Sequence, residues 1–376
     1  MLSTHPSDGD RLTAHTEETA ITSIAHTPPA RTITIGVDTH NDTHVAVALD
    51  DRGARLGDLH SPATTTGYAH LHTWATRWGP STVFGIEGTG SYGAGLTRFL
   101  HTAGHPVIEV NRPDRATRRR RGKNDTIDAE SAARAVLAAT ATTTPKTGDA
   151  EVEMIRMLKT ARNSAVKART QAINQIRALL VTAPAPVRES MTALSTAALL
   201  TRCAGLRAAA LHDPTTAARH TLGLLARRAL ALQSESDTLR TQITRLAATA
   251  APALLEVFGI GPDSAATFLI AAGDNPDRIH SEAALAALFG ASPVPASSGK
   301  TIRYRLNRGG DRQANAALHR VIVVRLRWHQ PTRDYMTRRT TEGKTRAEIM
   351  RCLKRHLVRE IYRALPRPAT DLPHAA

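Results

Sequence analysis

Four acidic residues are spaced so that a fold could bring them to one point. Asp38 ends an apolar run in GVDTH, Glu87 ends another in GIEGTG, and Asp125 and Asp128 are three residues apart, on one face of a helix. Converging carboxylates repel one another unless cations lie between them. A pair of divalent ions offsets that repulsion, activates an attacking oxygen and stabilises a leaving one. Carboxylate and water ligands suit Mg²⁺ or Mn²⁺, so the pattern predicts metal-assisted chemistry on phosphodiesters.

The elements around these acids must place them side by side. β-Branched runs and helical periodicity predict three strands in a meander, then helix, strand, helix, strand and helix. The ranges are 32–37, 44–49 and 54–59 for the meander, then 64–78, 82–86, 92–103 and 106–110, with the last helix starting near Asp125. This is the order of the ribonuclease-H-like fold, a mixed sheet flanked by helices. It brings the ends of the first and fourth strands together, with the last helix packed across them.

Each acid also has an ordinary interpretation. An Asp after a strand is often a turn residue, and Asp125 could be a helix cap. The joint placement of all four acids favours the metal site, so we expect all four to be metal ligands and catalytic residues. The 17 histidines show no HExxH spacing. His40, His44 and His319 could lie near the chemistry but are not predicted to take part.

Basic residues suggest a polyanionic partner. Lys and Arg number 49 against 33 Asp and Glu, a net charge of +16, which favours nucleic acid because each neutralised phosphate releases counterions. An arginine-rich proteome bias is the alternative. A basic run borders Asp125, where we expect substrate backbone contact rather than mere solvated surface. The contacts predicted from this run are Arg118, Arg119, Arg120, Arg121 and Lys123. Aromatic residues are only 3%, so base stacking is a poor expectation.

Other composition features exclude several classes of protein. Two cysteines without a CxxC pair argue against a disulfide framework or structural zinc site and fit a reducing cytoplasm. The longest apolar runs fall far short of the roughly 20 residues that span a bilayer, and no secretion signal is evident, so no membrane partner is expected.

The middle of the chain predicts long helices. A Thr- and Pro-containing linker, Ala138–Ala150, precedes apolar residues spaced at threes and fours from Met154 to Leu179. Further helical segments run to about Ala250, which suggests a helical hairpin or coiled-coil arm. Its basic face could be solvated or contact nucleic acid. That face carries Arg156, Lys159, Arg162, Lys167, Arg169 and Arg177.

The C-terminal part contains two candidate DNA contacts. VFGIGPDSAATFLIAA resembles a helix-hairpin-helix, in which glycines such as Gly259 and Gly261 let backbone N–H groups approach a phosphate; an ordinary Gly-Pro helix start is the alternative. Further on, a Ser-Ser-Gly segment lies among basic residues, and a serine there could attack a phosphate, although most loop serines are structural. The basic residues predicted to bind nucleic acid are Lys300, Arg303, Arg305 and Arg308. An amphipathic helix is expected from about Lys344 to Leu365.

These features divide the chain into five parts. The expected boundaries are 1–30 for a disordered lead, 31–140 for a catalytic domain with the ribonuclease-H-like mixed sheet, 151–250 for the arm, 251–340 for a mostly α C-terminal domain and 341–376 for a last helix and tail.

The combined pattern resembles the insertion-sequence-110 family of DEDD transposases, recombinases guided by a bridge RNA. The resemblance rests on GVDTHNDTHVAVA, GIEGTGSYG, NRPDRATRRRRGKNDTIDAE, the helical RMLKTARNSAVKARTQAINQIRALL, FGIGPDSAATFLIAAGD and LFGASPVPASSGKTIRYRLNRGGDRQANAALHR, across about residues 32–340. It implies an N-terminal RuvC-like domain, a coiled-coil insertion and a C-terminal transposase domain, and it implies that Asp38, Glu87, Asp125 and Asp128 form a metal-binding tetrad. It also implies a serine nucleophile that forms a phosphoserine link to DNA, which maps to Ser298, with Ser297 in reserve.

The resemblance further implies several partners. These are double-stranded DNA at the element ends and target, a structured guide RNA, and other copies of the chain, as a dimer or tetramer in which carboxylates and serines of different protomers share a site. Two other functions fit the acids: a RuvC-like endonuclease that hydrolyses with water, and a non-catalytic nucleic-acid-binding protein. The serine recombinase is preferred because a plain resolvase needs neither the arm nor the C-terminal unit.

Overall fold

A five-stranded mixed sheet forms the N-terminal unit, as the strand order predicts. The computed structural model describes residues 32–80, 82–111, 124–207, 210–297 and 304–366. The strands are β1 Ile33–Thr39, β2 Thr43–Leu49, β3 Arg55–Pro62, β4 Thr82–Glu87 and β5 Val107–Val110, and the helices are α1 Thr65–Thr76, α2 Ala94–Thr102 and α3 Asp125–Leu137. The sheet order is β3-β2-β1-β4-β5, antiparallel in the meander and parallel from β1 through β4 to β5. The predicted RuvC-like α/β arrangement is confirmed.

Helices cover both faces of this sheet. Leu71 and Trp74 of α1 and Leu96 and Leu100 of α2 share one core with the sheet residues that face them. On the opposite face, Ala129 and Ala133 of α3 pack with valines and a leucine of β2. Both β1 and β2 are buried on both faces. In β2 this makes the run Val45–Leu49 continuously apolar, whereas β1 alternates apolar residues with Thr34, Gly36 and Asp38.

Two long antiparallel helices form the middle of the molecule. α4 is Glu151–Thr182 and α7 is Pro214–Ala250, and two shorter helices, α5 Ala185–Glu189 and α6 Thr196–Ala204, lie between them in the chain. A separate core at the far end joins the second half of α4 to the first half of α7. The near end of the pair enters the core of the C-terminal unit.

The C-terminal unit is helical with one small hairpin. Its helices are α8 Pro252–Glu256, α9 Pro262–Ala272, α10 Glu282–Leu288, α11 Arg312–Trp328, α12 Gln330–Thr341 and α13 Arg346–Ala364, and the hairpin strands are β6 Val294–Pro295 and β7 Tyr304–Arg305. The predicted apolar stripe of α13 is confirmed, because Ile349, Leu353, Leu357 and Ile361 are all buried. None of the described helices is long and apolar enough to cross a membrane.

One prediction about α4 is wrong. Lys159, placed on the exposed basic face by its helical position, is buried and donates to Asp263 Oδ1 at 2.6 Å. Arg162 donates to the same oxygen at 2.9 Å. Periodicity located the apolar face correctly, but it could not show that an acid at the start of α9 would draw these two cations inward.

The segment between α3 and α4, residues 138–150, is a strap that contacts both the sheet and the C-terminal unit. Glu109 at the sheet edge donates its backbone N–H to Thr143, and Lys146 Nζ donates to the carbonyl of Ile270 at 2.7 Å. Asn275 brackets the strap, donating to Pro145 and accepting from the N–H of Thr147. The predicted linker therefore joins the sheet to the end of α9.

Candidate active site

Strand pairing brings the first two acids together. β1 and β4 are parallel neighbours with Val37 opposite Ile86. The next residues, Asp38 and Glu87, therefore lie side by side at the same end of the two strands. The Thr39 hydroxyl donates to the carbonyl of Glu87 at 2.8 Å and ties the two ends together. Both acids are almost fully buried. They form the floor of the site.

Two glycines allow α3 to lie directly on these strands. Gly36 and Gly85 are register partners in β1 and β4. A Cβ at Gly36 would lie 2.0 Å from the carbonyl oxygen of Ala129, and one at Gly85 would lie 2.6 Å from the Val136 side chain. The helix crosses both strands at this point. Each floor acid comes two residues after one of these glycines, on the same face of the sheet as α3.

The other two acids lie on the first turn of α3. Asn124, and not Asp125, is the N-cap, accepting from the N–H of Thr126 at 3.0 Å. The capping interpretation of Asp125 is therefore wrong, and its carboxylate is available to the site. Asp125 and Asp128 are half-buried, and negative charge at a helix N-terminus is favoured by the helix dipole.

His40 lies between the buried acids of the sheet and the acids of α3. Its Nε2 lies 3.1 Å from Asp38 Oδ2 and 3.5 Å from Asp125 Oδ1. Ligand atoms of these three residues lie within 4.8 Å of one another. Sequence reasoning set His40 aside, yet its position two residues after Asp38 was a usable signal, because side chains two apart in a strand point to the same face. His44, in contrast, is buried against Tyr68 with the rings 5.6 Å apart.

Electrostatics connects all four acids. Burial raises the pKa of the Asp38 carboxyl above its usual value, and the nearby His40 ring partly opposes that effect. The other three acids, Glu87, Asp128 and Asp125, push this pKa further upward, because their negative charges disfavour another one nearby. A set of oxygen ligands with mutual repulsion and one open side fits a divalent cation.

Comparison with known protein families gives two matches. Residues 35–183 match a family model described as transposase, of the DEDD type of IS110, and residues 251–337 match one described as Transposase IS116/IS110/IS902 family. Together the matches cover more than half of the chain, and the first includes all four acids. The chain belongs to the IS110 family of transposases. No curated protein matches it. Membership makes the chain a DNA transposase that uses divalent metal, and it identifies DNA as the substrate.

The predicted serine falls between β6 and β7 in the sequence. β6 and β7 are paired at Val294 with Arg305, and the residues that separate them along the chain include Ser-Ser-Gly. Ser298, Lys300 and Arg303 lie outside the described residues, as do all five basic residues predicted before α3, Arg118, Arg119, Arg120, Arg121 and Lys123. Arg305 and Arg308 are described and exposed.

The two glycines of the helix-hairpin-helix-like segment differ. Gly259 has a φ of 82°, and a Cβ there would lie 3.4 Å from Val321 of α11. Arg325 also donates to the carbonyl of Phe258 at 2.8 Å, so the backbone at Gly259 faces the core. Gly261 is the exposed N-cap of α9, with nothing near its Cβ position. A phosphate could therefore approach the backbone at Gly261.

Proposed function

We propose that this transposase cuts and rejoins the DNA of an insertion sequence by metal-assisted transesterification, with Ser298 as nucleophile. The main supporting observation is the geometry of the acids: Asp38 and Glu87 end adjacent parallel strands, and Asp125 and Asp128 lie on the first turn of the helix packed across them. Burial raises the pKa of Asp38, and the negative charges of the other three acids raise it further. A site with this repulsion gains from divalent cations, and phosphoryl transfer is the chemistry that such ions assist most directly.

The four acids would hold Mg²⁺ or Mn²⁺ at the open side of the site. The bound ions would lower the barrier by stabilising charge on the attacking and leaving oxygens. Asp38 and Glu87 are fixed by the sheet, whereas Asp125 and Asp128 are fixed by α3, so the tetrad is held by packed elements rather than by loops. His40, between Asp38 and Asp125, orients those two carboxylates.

The chemical step conserves the number of phosphoester bonds. The serine oxygen bonds to phosphorus, the bond from phosphorus to one strand oxygen breaks, and the serine proton passes to that leaving oxygen. The strand is then attached to the protein as a phosphoserine ester. Attack by a second strand hydroxyl reverses these events and releases the serine with the new strand joined.

Other parts of the chain would bind the partners. We propose that the α4–α7 pair acts as a coiled-coil arm in a dimer or tetramer, in which the carboxylates of one protomer meet the serine of another. The α9 N-terminus would contact DNA in the manner of a helix-hairpin-helix, and exposed Arg305 and Arg308 would contact its backbone. A structured guide RNA would select the sites, in the cytoplasm.

Hydrolysis by water is the second candidate, because the carboxylate pocket alone would suffice for it. The two reactions differ in whether a covalent intermediate forms. Purified protein is incubated with its RNA and a plasmid carrying the element ends, with Mg²⁺, and quenched with detergent. We expect a protease-sensitive DNA–protein adduct that Ser298→Ala abolishes and Ser292→Ala leaves intact. Metal-dependent nicking that persists in a Ser297/Ser298 double variant, with no adduct, would favour the hydrolytic endonuclease.

A further inference from the structure

A basic pocket lies beside the hairpin, and of the residues assigned above to nucleic-acid contact Arg305 lines it. It encloses about 650 Å³ between the β6–β7 hairpin, α12 and α13. Tyr304 and Arg305 form the hairpin wall, and Arg351, Lys354 and Arg355 form the α13 wall. The second family match ends at residue 337, before α13 begins. The α13 wall is therefore not part of the matched family region.

The lining of this pocket carries unbalanced positive charge. Its arginine and lysine side chains are Arg305, Lys344, Arg351, Lys354 and Arg355. Glu348 is the acid that also lines the pocket. Its Oε2 accepts from the N–H and hydroxyl of Thr345 at 2.9 and 2.7 Å, and these hydrogen bonds lower its pKa. The nearby charges of Arg351 and Lys344 lower this pKa further. Ionised Glu348 therefore offsets one positive charge of the lining, and the net charge that remains attracts an anion.

Several of these cations have unused donors. Within the described part of the chain, Arg351 forms no ion pair or side-chain hydrogen bond. Lys354 Nζ donates only to the neutral amide of Asn315, at 2.7 Å, and burial lowers its pKa. Arg355 shares Glu282 with Arg359, and its Nη1 is buried without a hydrogen-bond partner. Buried or half-buried cations of this kind are usually paired, so an anionic ligand would complete the site.

An aromatic face adjoins the cations. The chain has 5 tyrosines, and Tyr304 and Tyr335 both line this pocket. Tyr335 is engaged, with its ring edge-on to His356 at 5.3 Å and Arg338 over it at 5.4 Å. Tyr304 is 57% exposed and has no ring contact among the described residues. Its face can accept a stacked base, and the volume is in the range of pockets that hold small organic ligands.

We propose that the pocket binds one unpaired nucleotide of a nucleic-acid strand. Its phosphate contacts Arg351 and Lys354, and its base stacks on Tyr304. In a duplex each base is stacked on its neighbours and its face is inaccessible, so the pocket selects single-stranded segments over paired ones. This inference rests on the proposed function only in taking nucleic acid as the partner.

Binding to short oligonucleotides tests the proposal. Fluorescence anisotropy is measured on the full-length protein in EDTA with three fluorescein-labelled 12-nucleotide probes: single-stranded DNA, RNA of the same sequence, and the DNA duplex. We expect Arg351→Gln and Tyr304→Ser each to weaken single-strand binding about tenfold. Tyr304→Phe, which keeps the ring face, retains the affinity. Arg363→Gln is the matched control, an exposed α13 arginine that does not line the pocket.

The outcomes separate this proposal from the serine chemistry. Loss with one single-stranded probe but not the other shows whether the bound strand is DNA or RNA. Unchanged single-strand binding in Arg351→Gln and Tyr304→Ser would overturn the proposal, and so would an equal loss of duplex binding, which indicates ordinary phosphate contact. If circular dichroism shows that Arg351→Gln is unfolded, the result for Tyr304→Ser tests the proposal, because removal of an exposed ring should not disturb the fold. EDTA prevents cutting, so this binding assay does not depend on catalysis. If the pocket does not bind a single strand, the metal and serine predictions are unaffected, and if those predictions are wrong, the binding result is still valid.

Discussion

The carboxylate site and the β6–β7 hairpin, whose strands flank the predicted serine in the sequence, are built in contrasting ways. The acids stand on two buried strands and one helix, and the helix is pressed onto the sheet at Gly36 and Gly85. The hairpin has two-residue strands whose residues are exposed or half-exposed. A metal site needs several ligands held at fixed separations, whereas the serine that we propose as nucleophile would have to meet a phosphate held elsewhere. The two scaffolds fit these proposed roles.

The contrast predicts that acids and serine fail differently. Asp128→Asn and Ser298→Ala should each reduce strand exchange at least about a hundredfold, because each removes a group that acts on the reacting phosphate. Only Asp128→Asn should also remove the rise in Tm that Mn²⁺ produces in the free protein. A plasmid recombination assay beside thermal denaturation with and without Mn²⁺ measures both. Loss of the Mn²⁺ effect in Ser298→Ala would contradict this prediction, because it would mean that the serine segment contributes to the metal site of the free protein.

Gly36→Ala tests whether helix packing positions the acids. A Cβ there would lie 2.0 Å from the backbone oxygen of Ala129, so α3 must move away from β1. We expect the free energy of unfolding of this unit to fall by about 3 kcal/mol, together with loss of activity, although no acid is changed. Gly90→Ala is the control, since nothing lies within 4 Å of its Cβ position. Denaturant unfolding of both variants checks this, and equal stability would contradict the packing argument.

Asp263→Asn probes the C-terminal unit in the same way. Burial alone would raise the pKa of Asp263. The hydrogen bond from Lys159 and the positive charges of Lys159, Arg162 and Arg320 outweigh burial and hold this pKa below its usual value. The lowered pKa stabilises the fold at neutral pH, and that contribution is lost as pH falls through the folded value.

We expect the Asp263 substitution to cost about 2 kcal/mol at pH 7, because it leaves Lys159 buried without its carboxylate. The loss is smaller than for a fully buried pair, since about half of the Asp263 side chain is exposed. Chemical denaturation at a series of pH values from 7 downward should show the difference shrinking once pH falls below 3.8, the usual value for an aspartate. Asp237→Asn, which breaks an exposed pair with Arg240, should change stability by less than about 0.5 kcal/mol. A cost that stays constant down to the lowest pH at which the protein is folded would be inconsistent with this assignment.

The smallest effect concerns Asp38 in the metal-free protein. Because burial and the neighbouring acids raise its folded pKa, Asp38 favours folding at low pH, and this contribution is lost as pH rises through the folded value. Ionised Asp38 therefore destabilises the protein at pH 8 in EDTA. Asp38→Asn should raise stability there by about 1 kcal/mol, with no gain at pH 4. A Tm series in EDTA measures this, and a lower Tm for the variant at pH 8 would contradict it.

The sheet and its acids could be predicted because short-range patterns determine them. Alternating and continuous apolar runs located β1 and β4, and the fold order then placed Asp38 beside Glu87. Contacts between distant segments were not predictable in the same way. Lys159 is buried because Asp263 lies opposite it, more than one hundred residues later, and the strap at Lys146 is ordered by carbonyls of α9. His40 was missed because no ligand spacing includes it, although its place two residues after Asp38 puts it on the same face.

Titration of Mn²⁺ into the free protein tests the central claim most directly. Isothermal calorimetry compares the unaltered chain with Asp128→Asn and with Asp58→Asn, whose carboxylate lies on β3 and pairs with Arg55. We predict that the unaltered chain and the Asp58 variant bind Mn²⁺ with the same affinity, and that the Asp128 variant binds at least about tenfold more weakly. Equal affinity in all three proteins would show that the four carboxylates do not form one metal site.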